Sequence, residues 1–279
     1  MKTLGYYNGE IAPVEEMRVP MNDRACFFGD GVYEAAICLN YKIFTLDEHI
    51  DRMWRSASLL KMDVPLSRGD MTALLEDLIK KLDSPDLLVY WQLSRGTAPR
   101  AHVFPGDVKP NLWVTIKPLV LPDIYAKVSL ITVPDKRFFF CNIKTLNLIP
   151  NVLASEEARQ AGCHEAVFHR DGRVTECSHS NVHILKDGVF RTAPPDNLIL
   201  PGISRAHLIS HAKALGIRVE EKAFTLEEMM DADEIITSST TAMCMGAEKI
   251  DNKNAGGKAP ALLKSLQDAF LEELREKTQ

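Results

Sequence analysis

Apolar and polar positions repeat along this chain with two different periods, which separate predicted helices from predicted strands. In TLDEHIDRMWRSASLLK the apolar positions recur at helical spacing, and SRGDMTALLEDLIKKLD predicts a second helix that starts at Ser67. Thr45 and Glu48, three residues apart, predict a capping box at the start of the first helix. DLLVYWQLSRG and NLWVTIKPL are rich in β-branched and aromatic residues and predict strands.

Three dipeptides of the Asn-Gly or Asp-Gly type, at 8–9, 171–172 and 187–188, predict tight hairpins between strand-like flanks. Later helices are predicted in PNVLASEEARQAG, in GISRAHLISHAKALG up to Gly216, in TLEEMMDAD and over residues 258–277. KVSLITV and DEIITSS read as further strands. Because strands and helices alternate irregularly with several hairpins, the sequence predicts an α+β or mixed α/β fold.

The stretch KPLVLPDIYAK carries Pro118 and Pro122 between two strand patterns, which is typical of a linker. We therefore predict a small N-terminal α/β domain over residues 1–118, an interdomain linker over 119–126, and a larger C-terminal domain over 127–279.

Composition narrows the function classes. The chain has 279 residues with 46% hydrophobic and 25% charged, which is typical of a soluble globular protein. A net charge of -5 with dispersed positive charge argues against a nucleic-acid partner. No apolar run is long enough to span a membrane, and the N-terminus has no secretory pattern. Six cysteines without a CxxC pair predict reduced thiols in a cytoplasmic protein, and the sequence shows no paired ligand spacing for zinc.

One lysine, Lys144, lies inside the apolar run RFFFCNIKTLNLIPN. It either extends its ammonium into water or uses a desolvated amine as a nucleophile. Phe138, Phe139 and Phe140, together with Leu146 and Leu148, could supply that dry environment. Strand-like alternation would place Leu146 and Leu148 on the same side as Lys144.

Glu176 lies between two strand-like segments in GRVTECSHSNVHIL, among small polar residues. It is either a solvated hairpin carboxylate or an interior carboxylate. An interior carboxylate could pair with a protonated ring nitrogen of a cofactor.

Two segments could bind a phosphate. In LPGISRAHLI, Gly202, Ile203 and Ser204 open a helix, and this arrangement is either an ordinary cap or an anion site. ITSSTTAM adds hydroxyl groups after a strand, at Ser239, Thr240 and Thr241. Arg52 on the first long helix either forms a surface ion pair or reaches a phosphate.

The loop LSRGTAPRAHVFPG holds Arg100 and His102 two residues apart, so in extended chain they share a face. The loop is either simply polar or a clamp for a small carboxylate.

Taken in order along the chain, these motifs form a recognisable set. NDRACFFGDGVYEAA, FTLDEHIDRM, SRGTAPRAHVFP, CNIKTLNLIPNVLA, VTECSHSNV, LPGISR and TSSTTAM cover nearly its whole length. Through these motifs the chain resembles the fold-type IV, or class IV, pyridoxal-phosphate aminotransferases. RGTAPRAH resembles most specifically the branch that acts on D-amino acids.

The resemblance implies a ping-pong transamination between D-amino acids such as D-alanine and 2-oxo acids such as 2-oxoglutarate and pyruvate. It implies pyridoxal 5'-phosphate as cofactor, bound between the two domains, and a homodimer. Tyr33, Arg100 and His102 would form the trap for the substrate carboxylate; in related dimers these trap residues come from the partner subunit. The implied roles are a Schiff-base and acid–base lysine, Lys144; a pyridine-nitrogen partner, Glu176; cofactor and phosphate contacts from Arg52, Leu200, Ile203, Ser204, Ser239, Thr240 and His179; and substrate contacts from Tyr33, Arg100, His102 and Thr241.

Related activities on the same fold stay open at this point. A branched-chain L-amino acid aminotransferase, an aminodeoxychorismate lyase and an R-selective amine transaminase would share Lys144 and Glu176. A non-catalytic small-molecule binding protein on the same scaffold also stays open. The sequence departs from the family pattern at His179, where a hydroxyl is expected, and at Ala242-Met243, where a more polar pair is familiar.

Overall fold

The structure is a computed structural model that describes residues 2–279. The chain forms two compact units. The first unit contains the chain up to Val120 together with Ile143–Asn147 and Leu274–Gln279, and the second contains Leu121–Asn142 and Leu148–Glu273. The sequence-based domain division stays a prediction, and it differs from this grouping at the two short later segments.

The first unit is built on a six-stranded sheet in which every neighbouring pair is antiparallel. The strand order is β2-β1-β6-β5-β3-β4. The elements are β1 (Leu4–Tyr7), β2 (Glu10–Ala12), α1 (Arg24–Phe28), β3 (Gly31–Leu39), β4 (Lys42–Ile43), α2 (Leu46–Leu59), α3 (Arg68–Ile79), β5 (Leu87–Ser94) and β6 (Asn111–Pro118).

Helix α2 covers the long central strands β3 and β5 of this sheet and supplies much of the first core. Its Met53 packs with Trp91 of β5, whose indole N–H donates to the Met53 sulfur at 3.0 Å. Leu75 of α3 and Val32 of β3 are also fully buried in this core. The helical periodicity in the sequence is therefore confirmed, because its apolar face is the face that covers the sheet.

The predicted capping box at Thr45 is wrong. Thr45 has a left-handed backbone with φ of 51°, and its side chain makes no cap hydrogen bond. That conformation turns the hydroxyl away from the first free N–H groups of α2, so the sequence spacing alone does not make a cap. Helix α3 does begin as predicted, with the Ser67 hydroxyl accepting from the Asp70 N–H at 3.1 Å.

The second unit is built on a nine-stranded sheet with both parallel and antiparallel pairs, in the order β12-β11-β10-β13-β14-β7-β8-β9, with β15 beside β14. Its strands are β7 (Lys127–Pro134), β8 (Glu165–Arg170), β9 (Arg173–Cys177), β10 (Asn181–Lys186), β11 (Val189–Thr192), β12 (Arg218–Glu221), β13 (Glu234–Ser238), β14 (Met245–Ile250) and β15 (Lys253–Asn254). Its helices are α4 (Ile149–Gln160), α5 (Ile203–Ala214), α6 (Leu226–Asp231) and the start of α7 (Pro260–Thr278).

The mixed sheet and the interspersed helices confirm the predicted mixed α/β class. All three hairpin predictions are confirmed, since Asn8, Asp171 and Asp187 adopt positive φ before a glycine and join antiparallel strands. Within residues 2–279, no helix combines the length and the apolar character that a membrane span requires.

Candidate active site

Lys144 lies in an irregular segment of the first unit and not in the strand that the alternation suggested. Hydrogen bonds fix its backbone on both sides. The Tyr33 N–H donates to the Lys144 carbonyl at 2.9 Å, and the Lys144 N–H donates to the buried Ser56 hydroxyl of α2 at 3.2 Å. The next anchor is the Leu146 N–H, which donates to the Gly31 carbonyl at 3.1 Å. Two of these bonds hold the lysine segment against the start of β3, and the third joins it to α2.

Gly31 makes this close approach possible. A Cβ atom at Gly31 would stand 2.7 Å from the Leu146 side chain and 2.4 Å from the Leu93 carbonyl oxygen. Such distances are well inside van der Waals contact, so a larger residue would push the lysine segment off the strand. The sequence places a glycine where the backbone that carries Lys144 must touch β3.

The Lys144 amine lies over an aromatic ring. Its Nζ is 4.3 Å from the centroid of the Tyr33 ring, which stacks on Tyr90 with ring centroids 5.6 Å apart. The lysine side chain is half-buried, and no ion pair of Lys144 is found within residues 2–279. Two predicted site residues, Lys144 and Tyr33, are therefore brought together in the first unit.

The predicted apolar lining of Lys144 is wrong in part. Phe138, Phe139 and Phe140 belong to the second unit and are 41%, 58% and 62% exposed, so they present no dry surface of their own. Within residues 137–140 of this run, the buried side chain is that of Arg137, whereas the three phenylalanine rings are exposed. Of Leu146 and Leu148, it is Leu146 that belongs to the same unit as Lys144, and it is half-buried.

Arg52 on α2 is buried and paired with Glu34 of β3. Its Nε donates to Glu34 Oε1 at 2.7 Å and its Nη2 donates to Oε2 at 2.8 Å, while His49 Nδ1 lies 2.7 Å from Oε2. Burial would raise the pKa of Glu34, but the charge of Arg52 and the hydrogen bonds from Arg52 and His49 outweigh it and lower the pKa to about 2. This bidentate pair fixes one edge of the guanidinium, and the phosphate contact assigned to Arg52 stays a prediction.

Replacing Glu34 by glutamine should lower the free energy of unfolding by about 3–5 kcal/mol at pH 7, because Arg52 would lose its buried carboxylate. The contribution of Glu34 is present above its usual pKa of 4.5 and is lost as the pH falls toward 2. The gap between wild type and variant should therefore narrow below pH 4.5 in denaturant titrations. The exposed Glu248→Gln is the matched control, and a variant as stable as that control would contradict the prediction.

Glu176, at the end of β9, is a buried carboxylate and not a solvated hairpin residue. Its Oε2 accepts from Asn181 Nδ2 at 3.0 Å and from the Leu200 N–H at 2.9 Å, and its Oε1 accepts from Arg137. Burial raises the pKa of Glu176 to about 7, against the charge of Arg137 and the Leu200 hydrogen bond, which both lower it. Leu200, a predicted cofactor neighbour, thus contacts Glu176 directly.

Arg137 is the residue that the sequence reading missed. The Nε and Nη2 of this buried guanidinium donate to both oxygens of Asp135 at 3.0 and 2.8 Å, Nη2 also donates to the Leu198 carbonyl at 3.1 Å, and Nη1 donates to Glu176. Its face lies 4.5 Å from the Phe168 ring centroid. These contacts orient Arg137 so that it favours the ionised form of Glu176. The Asp135–Arg137 spacing was the available signal, since residues two apart can share one side of an extended chain.

Helix α5 begins beside a turn rich in hydroxyl groups. Its N-cap, Gly202, provides no side-chain cap, so the first N–H groups of the helix, from Ile203 onward, have no partner from that residue. The Ser204 hydroxyl donates to the Ser239 carbonyl at 3.0 Å. The Ser239 hydroxyl accepts from the Ala242 N–H at 3.1 Å and closes a turn.

The structure thereby brings five of the predicted residues to one place in the second unit: Ile203, Ser204, Ser239, Thr240 and Thr241. The first N–H groups of a helix and neighbouring hydroxyls are the donors that a phosphate accepts from. Gly202 also matters to Glu176, because a Cβ there would stand 2.1 Å from the Asn181 side-chain oxygen.

Arg100 and His102 are both exposed, and both lie against the ring of Phe28 at the end of α1. The Arg100 guanidinium carbon is 5.1 Å from the Phe28 centroid, and the His102 ring is 5.3 Å from it. Both side chains therefore contact the same ring, where Arg100 offers a positive charge and both residues offer hydrogen-bond donors.

His179 lies beside Glu165 and Ser178 in the second unit. It is half exposed, with Nδ1 3.1 Å from Glu165 Oε1 and 3.3 Å from the Ser178 hydroxyl. Its contact with a cofactor stays a prediction.

The chain is similar to known proteins over its full length. The model of the class IV amino-transferase family matches residues 31–250. The chain is 37% identical over 281 residues to the D-alanine aminotransferase of Bacillus licheniformis, covering 100% of this chain and 99% of that one. It is 40% identical over 273 residues to the D-alanine aminotransferase of Listeria monocytogenes, covering 96% and 94% of the two chains.

Among solved structures, the fold is similar to that of the branched-chain amino acid aminotransferase from Escherichia coli. The TM-score is 0.89 at 24% identity, and the match covers 100% of this chain and 96% of that one. A second branched-chain amino acid aminotransferase, solved as a complex with N-(5'-phosphopyridoxyl)-L-glutamate, has a TM-score of 0.87 at 24% identity. That match covers 99% of this chain and 94% of the other.

Proposed function

Because the chain belongs to the class IV aminotransferase family, we propose that it is a pyridoxal-phosphate enzyme that exchanges amino groups between D-amino acids and 2-oxo acids. The observation that carries the proposal is the identity of 37% and 40%, over nearly the whole chain, to D-alanine aminotransferases. The likeness to branched-chain aminotransferases concerns the fold, at 24% identity, and does not argue for that substrate class.

The side chains present fit the cofactor. A phosphate would be held by the uncapped start of α5 at Ile203 and Ser204 and by the hydroxyls of the 239–241 turn. Glu176 would accept a hydrogen bond from the protonated ring nitrogen, since it is the buried carboxylate that Arg137 and Asn181 hold in place. Pyridoxal phosphate supplies an aldehyde that condenses with amines and a ring that accepts electrons.

The chain's own groups divide the remaining work. Nζ of Lys144 would hold the cofactor at rest, then take the α-proton of the bound amino acid and return a proton in the second half of the exchange. Glu176 would keep a positive charge on the ring nitrogen, and Arg137 would keep Glu176 ionised. Tyr33 would position the Lys144 amine, because its ring lies 4.3 Å from Nζ.

Arg100 and His102 would recognise the substrate carboxylate. A guanidinium pairs with a carboxylate through charge-assisted hydrogen bonds, and the Phe28 ring orients both residues. Which enantiomer reacts depends on where this carboxylate is held relative to the Lys144 amine. In the proposed homodimer these trap residues act on the active site of the partner subunit. A cytoplasmic location belongs to the same proposal, and the six unpaired cysteines support it.

The direct test is a coupled transamination assay with D- and L-alanine, D-aspartate and D-glutamate as donors. Each donor is paired with 2-oxoglutarate and with pyruvate where the product can be distinguished from the donor. We expect turnover with the D-enantiomers and little with L-alanine. Equal rates with D- and L-alanine, or turnover of branched-chain L-amino acids alone, would overturn the assignment.

Replacing Arg100 by alanine should raise KM for D-alanine by about 10- to 100-fold, because a charged hydrogen bond to the substrate is lost. The cofactor content, read from visible absorbance, should stay that of wild type. The matched control is Arg218→Ala, which removes an exposed arginine of β12 and should change neither quantity. An unchanged KM would remove Arg100 from the trap.

A further inference from the structure

A second group of ligand-type side chains lies on α5 and α7, apart from the residues proposed for the cofactor. His207 and His211 are four residues apart on α5, which places both rings on one face of the helix. Glu273 of α7 faces them. The His207–His211 spacing runs against the expectation that the chain has no paired zinc-ligand spacing. Glu273, the third member of the group, lies 62 residues after His211.

The three side chains converge on one point. His207 Nδ1 lies 2.9 and 2.8 Å from the two oxygens of Glu273, and His211 Nε2 lies 2.8 Å from Oε2. One carboxylate oxygen is therefore shared by both imidazoles. Zn²⁺ ligands at about 2.1 Å in tetrahedral geometry stand about 3.4 Å apart, so the side chains need to separate by only about half an ångström.

The surroundings suit an ion that enters from solvent and is then shielded. The side chains of His207, His211 and Glu273 are 10%, 18% and 17% exposed, so the group is reachable but mostly enclosed. Phe270, one turn before Glu273 on α7, closes one side, with its ring 6.3 and 5.9 Å from the two imidazoles. An apolar wall beside a metal limits the access of water to its ligands.

A rival group near β8 is less suited to an ion. Glu165 lies within reach of His164 and His179, but its oxygens already accept from the His179 N–H at 2.5 Å and from the Ser180 hydroxyl at 2.8 Å. Both of these histidines are exposed. The Glu165 carboxylate is therefore held by hydrogen bonds from His179 and Ser180. The Glu273 carboxylate lies against the two imidazoles.

We propose that His207, His211 and Glu273 form a binding site for a divalent transition metal of the zinc class. Two imidazole nitrogens and one carboxylate oxygen are a donor set that zinc takes in proteins, with water in the fourth position. The ion would join α5 to α7 within the second unit. This site is independent of the proposed transamination.

The test uses the full-length, cofactor-loaded protein, stripped with a chelator and desalted into a non-coordinating buffer. Zinc chloride is added, the protein is desalted again, and retained zinc is measured by mass spectrometry. Affinity comes from competition with a chromophoric chelator, and the thermal midpoint is recorded in parallel. We expect one zinc per chain and a higher midpoint with zinc than without.

His211→Gln and Glu273→Gln should each weaken zinc binding by at least about tenfold. Even the loss of a residue that only supports a metal ligand lowers metal affinity by about 10- to 100-fold. His164→Ala, in the rival group, should bind zinc like wild type. If one variant fails to fold, as judged by its metal-free thermal midpoint, the other carries the test.

Two results would overturn the proposal. One is a wild-type protein that retains no zinc. The other is zinc bound with the same affinity in His211→Gln and Glu273→Gln, which would move the ion to another site such as the exposed Cys26.

Discussion

Replacing Lys144 by alanine should reduce transamination of D-alanine by at least about 10⁴-fold, the largest effect expected of any single change. The loss is large because one amine both anchors the cofactor and moves the proton, and proton transfer alone contributes about 10²–10⁴-fold. The measurement is kcat with D-alanine and 2-oxoglutarate at saturating cofactor. Borohydride treatment of wild type should fix the cofactor irreversibly to Lys144, which peptide mapping identifies.

The matched control for this substitution is Lys136→Ala. Lys136 is an exposed lysine eight residues earlier in the chain, and its loss should leave kcat unchanged. A Lys144→Ala protein that keeps a tenth of the wild-type rate would be incompatible with the proposed role. So would a reduced cofactor found on any other lysine.

Replacing Glu176 by glutamine should lower kcat by about 10²–10³-fold, the typical effect of removing one preorganised charge from an active site. Glutamine keeps the shape of the side chain but cannot hold a proton on the ring nitrogen. Cofactor content must be measured beside kcat, so that weaker binding is not mistaken for slower chemistry. The exposed Glu157→Gln of α4 is the control. A Glu176→Gln enzyme with wild-type kcat would exclude the proposed partnership.

The role of Arg137 can be tested through the pH dependence of kcat. The pKa of Glu176 is raised to about 7 by burial, and Arg137 opposes that rise. In the proposed mechanism the ionised form of Glu176 is the active one, so activity should be lost as the pH falls through this pKa. Arg137→Gln removes the opposing charge, so the acid limb of the kcat profile should move to higher pH. A purely structural arginine would lower activity without moving that limb.

The sequence predicted secondary-structure elements better than it predicted the environments of individual side chains. The helical and strand periods, the three hairpin glycines and the family motifs are local signals. The structure confirms the elements and the hairpins, and the match to the class IV family confirms the resemblance. Local spacing failed at Thr45, because the backbone there turned left-handed and removed the cap geometry. It failed again at Phe138, Phe139 and Phe140, because apolar character does not tell which members of an irregular run turn inward.

Contacts between distant residues were beyond the reach of pattern reading. Arg137 meets Glu176 across 39 positions, and His211 meets Glu273 across 62. No periodicity connects such pairs, since the folding of the sheet and the helices decides which side chains meet. Resemblance supplied the proposed role of Glu176, but it named neither the arginine that contacts it nor the histidine group on α5.

The grouping of the Lys144 segment with the first unit affects how the protein can be divided. A polypeptide cut at 120/121 would leave the N-terminal fragment without residues 143–147, which bond to Gly31 and Tyr33, and without Thr278, whose carbonyl accepts from Asn40. Unpaired peptide groups along an exposed strand edge favour aggregation. The N-terminal fragment should therefore fail to fold by itself and should regain structure only on complementation with the remainder of the chain.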